Sequence, residues 1–245
     1  MNWSRAKTIL IIAFVITDIF LLFIYFKPGI KSEEFNDNKA LAEFLAQKGI
    51  YVDEKTIPRG QYDLAVLYVH GEDESCGAFD LLLSPGKGRW KAEGDGDKDY
   101  QQAADAFIKE AGGAFVTAVF DGIIRDEGYV KAVYKNVING ITIETSNVIV
   151  IFRDGTIVDY DCDWLEIKGF HENSQKTISA AQALLLFMAL NEDGAEAYID
   201  SIEMVYWLDE TVQIDLPVSE DTAFPMWKIT YNGGDHRHID AFEHN

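Results

Sequence analysis

Three clusters of side chains have the types and spacing to do chemistry. In the first, Glu93, Asp95, Asp97 and Asp99 place carboxylates at alternate positions, as a calcium-binding loop does. Counted from Asp95, the sixth position is Tyr100, where the loop's sharp turn needs glycine. The twelfth is Ala106, where a bidentate glutamate is needed. The run therefore reads as a solvated acidic turn capping the helix that follows.

The second cluster is Asp159, Asp161 and Asp163, followed by Glu166. On a strand the three aspartates share one face. Paired carboxylates do glycosidase chemistry when they face each other across roughly 5 to 9.5 Å of cleft. Without such a cleft the pattern is a solvent-facing strand whose charges block edge-to-edge aggregation. The third cluster is Asp235, His236, Arg237 and His238, with His244 close behind. Two histidines at alternate positions can hold a metal on a strand. No third ligand sits at a defined spacing, so no metal site is expected. The sequence has no nucleophile elbow, phosphate-binding loop, zinc-protease helix or kinase signature. No catalytic residue and no cofactor is assigned, and the chain reads as a non-enzyme.

Asp18 is informative for a different reason. Residues 9–26 are apolar apart from it, and 14 of the 18 are Ile, Leu, Val or Phe. As a helix the stretch is about 27 Å long, close to a bilayer core. Its apolar residues, at roughly −0.3 to −0.6 kcal/mol each, outweigh the aspartate at about +3 kcal/mol. Residues 27–32 offer no pair of small residues for signal cleavage, so the segment reads as a retained anchor. An ionisable group in a span is costly and marks function. On a heptad stripe Asp18 aligns with Ile11, Phe14, Leu21 and Tyr25. That face is expected to meet another transmembrane helix, with Asp18 hydrogen-bonded across the contact.

Residues 28–245 carry 18 basic and 40 acidic groups, a net charge of −22. Such a balance excludes nucleic acid as a partner. Lys and Arg are nearly tied across the span, and long domains translocate largely regardless of charge. The expected topology is a cytoplasmic tail at 1–8, an anchor at 9–26 and a linker at 27–34, followed by an extracytoplasmic domain. There Cys76 and Cys162 are open to two readings, a disulfide or two buried free thiols.

Hydrophobic periodicity places helices at about 37–48, 100–111 and 179–190. Strand-like runs fall at 62–69, 78–83, 89–93, 115–120, 130–138, 145–152, 156–165, 202–208, 227–231 and 238–242. Asn139-Gly140 and Asp154-Gly155 are hairpin signals. The order of one helix followed by several strands recurs three times. It predicts an α+β fold of antiparallel sheets with helices packed on one face, in units of 35–170 and 171–245. Phe44, Leu45, Leu184, Leu185, Phe187 and Trp227 are expected in its core.

The opening Met1-Asn2-Trp3-Ser4-Arg5-Ala6-Lys7-Thr8-Ile9, followed by Asp18-Ile19-Phe20-Leu21-Leu22, resembles the YycI (WalI) family. The similarity continues through 134–160 and the end, Pro225–Ile229 and His238–Phe242. The closing pattern also resembles PepSY-type modules, in which a Trp-bearing strand pairs with a final strand. The resemblance implies a single-pass membrane protein of Gram-positive bacteria. With a YycH-like partner it would modulate the sensor histidine kinase WalK (YycG), which controls cell-wall metabolism, through contacts between membrane helices. The family brings no catalytic residues. Two other classes remain open. One is a PepSY-like module that captures a peptide, a lipid or a peptidase propiece in a groove lined by Trp207, Trp227 and Tyr231, residues whose alternation with polar ones fits a packed inner sheet face. The other is a hydrolase built on the 159–163 carboxylates.

Overall fold

The computed structural model describes residues 38–71, 73–84, 90–191, 194–208 and 221–243. The anchor with its partner-facing residues Asp18, Ile11, Phe14, Leu21 and Tyr25 lies outside them, as does His244. Among the described residues no helix is long and apolar enough to cross a membrane.

Among the described residues, four α-helices and twelve strands make an α+β fold around one ten-stranded sheet. The helices are α1 (Asn38–Ala46), α2 (Asp73–Leu83), α3 (Asp97–Ala111) and α4 (Ala180–Leu190). Four long strands form the first group: β4 (Ala118–Asp126), β5 (Tyr129–Ile138), β6 (Ile141–Arg153) and β7 (Thr156–Asp163). They run as consecutive antiparallel hairpins. Asn139 and Gly140 have φ of 52° and 79°, and Asp154 and Gly155 have 50° and 72°. Asn, Asp and Gly tolerate these left-handed angles, so both tight turns form where expected. The second group holds β10 (Ala197–Leu208), β11 (Asp221–Tyr231), β12 (Asp235–Asp240), β3 (Leu67–Gly71) and β8 (Leu165–Phe170). Trp-bearing β11 pairs with β12, with Trp227 opposite Ile239.

The sheet is not wholly antiparallel. β1 (Ile50–Tyr51) and β6 both join β10 in parallel. The second pairing, Val205 with Thr142 and Tyr206 with Ile143, joins the two groups into one sheet. A separate two-stranded sheet pairs β2 (Asp63–Leu64) with β9 (Gln175–Lys176).

Each group of strands has its own pair of helices. α1 and α4 bury Leu41, Leu45, Leu184 and Phe187 against Trp227, Ile229 and Ile239. The Trp227 indole N–H donates to the Ile178 carbonyl at 3.0 Å, so the buried ring leaves no polar atom unpaired. Ser179 caps α4 by accepting from the Gln182 N–H, while the Gln182 side chain accepts from the Ser179 N–H. α2 and α3 bury Phe79, Tyr100, Ala104 and Phe107 against Val148, Val150 and Phe152. Cys76 on α2 and Cys162 on β7 form a disulfide, and the Tyr160 hydroxyl donates to Asp80 at 2.7 Å alongside it.

Several expectations are corrected. Residues 78–83 are helical, as part of α2, rather than a strand. Among the described residues of the 89–93 run, 90–93, only Lys91 makes a bridge, to Thr156. Phe44 is 39 % exposed at the border of the α1 stripe, whereas Leu41 and Leu45 are fully buried. Leu185 is only partly buried.

Candidate functional site

The acidic turn at 93–99 caps α3. The Asp99 carboxylate accepts from the Gly96 N–H at 3.1 Å, and two aspartates sit in the first helical turn, where the helix dipole favours negative charge. Arg125 ties the turn to β4, donating to Asp97 and to the Asp95 carbonyl. Asp159, Asp161 and Asp163 are all exposed on β7. Their strand ladder is with β6, and Glu166 pairs with Lys168 instead. The structure does not bring these carboxylates together across a cleft.

The third cluster has a different outcome. His236 and His238 are two residues apart on β12 and point to one face. His238 lies opposite Lys228 of β11, and opposed residues in an antiparallel pair share a face. The same face is half-buried along β11, while Ala223, Pro225, Trp227 and Ile229 on the other face are buried. The histidines therefore stand on the sheet surface opposite the α1–α4 core.

Glu144 reaches this surface through a bulge in β6. Asn136 pairs with Ile143 and Lys135 with Asn147, so Glu144, Thr145 and Ser146 lie outside the β5 register. Bulges re-aim side chains in this way. A buried network holds the bulge. The Asn136 amide donates to Ser146 Oγ at 3.0 Å and to the Leu165 carbonyl at 2.8 Å. Thr117 Oγ1 donates to Asn136 Oδ1 at 2.7 Å, and the Leu165 N–H donates to Ser146 Oγ at 2.8 Å.

Glu144 then meets two partners. Its Oε1 accepts from the Lys228 ammonium, and its Oε2 lies 2.5 Å from His238 Nε2. An ionised carboxylate only accepts, so Nε2 carries the hydrogen in this contact. Burial pushes the Glu144 carboxyl up. The hydrogen bonds and charges of His238 and Lys228 more than offset that and hold it at about 2. Trp207 stacks on the His238 ring with centroids 4.8 Å apart and planes 13° apart. His236 meets the same ring edge-on at 5.4 Å. Glu144, His236 and His238 form a triad whose ligand atoms lie within 4.8 Å of one another. Sequence reasoning found the two histidines and missed Glu144, Lys228 and the stacking role of Trp207.

The aromatic groove that a PepSY-like binding module would need from Trp207, Trp227 and Tyr231 does not form. Trp227 is fully buried and Tyr231 packs edge-on against Phe187. Trp207 faces the opposite side of the sheet, since Met204 is the partner of Trp227 and lies three residues before it.

No protein-family model matches the chain, and no curated protein matches it significantly.

Proposed function

We propose that this chain is a YycI-like, membrane-anchored, non-enzymatic regulator of a cell-wall-controlling sensor histidine kinase, acting with a YycH-like partner through membrane-helix contacts. The observation that carries the reading is the opening motif at 1–9 joined to an apolar span that contains Asp18. The disulfide between Cys76 and Cys162 supports an extracytoplasmic setting for the domain, because such cross-links persist in oxidising compartments. The pairing of the Trp227 strand with the last strand supports the likeness at the C-terminal end.

The mechanism is a population shift. A kinase with two signalling states is biased by a bound helix to the extent that the helix prefers one of them. Asp18 supplies a hydrogen bond at that contact, worth roughly 0.6 to 2 kcal/mol in a membrane. Co-purification of wild type, Asp18→Leu and a chain carrying an unrelated span tests this at matched expression. Asp18→Leu should stay in the membrane, because losing the charge eases insertion, yet capture less kinase or YycH-like partner. The swapped span should capture none. Equal capture by all three would place recognition in the folded domain and defeat the proposal.

A further inference from the structure

The surface around His238 has the composition of a metal centre. Two imidazoles and one carboxylate form a donor set that suits zinc and its neighbours, with a fourth position open to water. All three residues stand on one face of the sheet, drawn from β12 and from the β6 bulge. Glu144 and His238 are largely enclosed, with side chains 18 % and 13 % exposed, while His236 is exposed.

We propose that Glu144, His236 and His238 bind one divalent transition cation of the zinc class. The cation takes Glu144 Oε2 and His238 Nε2 in place of the hydrogen now between them, and that imidazole moves its proton to Nδ1. Zinc–nitrogen bonds of about 2.0–2.1 Å at tetrahedral angles set ligand atoms about 3.3 Å apart. Glu144 and His238 are already in contact at 2.5 Å, so they part slightly and the exposed His236 side chain swings in to complete the set.

Two neighbours act on the ligands without touching the cation. Lys228 holds Glu144 Oε1, leaving Oε2 to coordinate; partners of this kind orient metal-binding carboxylates. Trp207 covers one face of the His238 ring and fixes its plane.

The test uses the full chain, without an affinity tag, in detergent and stripped of metal. Zinc is titrated against a chromophoric chelator, and cobalt(II) is added separately for its visible absorption. The expected result is one zinc per chain and a cobalt band typical of four-coordination. His236→Ala should weaken zinc binding at least about tenfold and remove the band, with an unchanged circular dichroism spectrum and melting temperature. His70→Gln and His171→Gln should change nothing. The proposal is overturned if the chain binds no stoichiometric zinc. It is equally overturned if His236→Ala binds zinc as wild type does, or if His70→Gln or His171→Gln causes the loss instead.

Discussion

Glu144 Oε2 and His238 Nε2 lie 2.5 Å apart although 94 residues separate them in the chain. The contact fastens the β6 bulge to the last strand of the sheet, and its strength depends on pH. An unperturbed glutamate titrates near 4.3, and in the fold Glu144 is held at about 2. A carboxyl depressed by folding stabilises the protein fully above the unfolded value, and the gain is lost as pH falls through the folded one. Wild type should therefore exceed Glu144→Gln in urea midpoint at pH 7, with the gap closing between about pH 4 and 2. A gap that stays constant over that range would mean the carboxylate contact is not made.

Asn136 is fully buried and serves three partners. Asn136→Ala leaves the Leu165 carbonyl and the Thr117 hydroxyl without it. The expected cost is about 2–3 kcal/mol, since buried polar groups left unsatisfied each cost roughly 1–3 kcal/mol. Urea unfolding measures it. A loss below 0.5 kcal/mol, on the order of an exposed substitution, would show that the network is not formed in solution.

The disulfide closes a loop spanning 86 residues between Cys76 and Cys162. Replacing both cysteines by serine should cost about 2–4 kcal/mol, mostly by freeing the unfolded chain. The unreduced wild type should take up no thiol label even in strong denaturant. Two labels per chain under those conditions would show that the bridge is absent.

Trp227 and Phe44 make a contrasting pair. Trp227→Ala opens a cavity under α4 and breaks the bond to Ile178, so about 3–5 kcal/mol should be lost. Phe44→Ala, at a 39 % exposed site, should cost under about 1 kcal/mol. Thermal melts of the two variants separate these outcomes, and equal losses would contradict the burial assigned to each.

What could be read from the sequence was local. Asn139-Gly140 and Asp154-Gly155 announced their turns because few residues accept left-handed φ. The apolar run at 179–190 placed α4, and Leu41 with Leu45 kept helical spacing. The apolar Ala78, Phe79, Leu81, Leu82 and Leu83 are compatible with strand or helix, because a short run carries no period of its own; packing against β7 decided for helix. Glu144 could not be found from spacing, since a bulge aims it and its partners lie more than 80 residues downstream. The parallel junction of β6 and β10 was hidden for the same reason: no hairpin signal marks a non-local pairing.

The pairing of Ile50 with Ala197 has a consequence for how the chain comes off the ribosome. Leu41, Leu45 and Ile50 have their covering residues at 178–241. At roughly 5–20 residues per second, they wait on the order of 10–30 s for β10 to be made. Helix α3 and strands β4 to β7 have no such delay, because their mutual contacts are complete by residue 164. The middle of the chain is thus ready to fold first. Leu41, Leu45 and Ile50 stay open to chaperones until the last strands arrive.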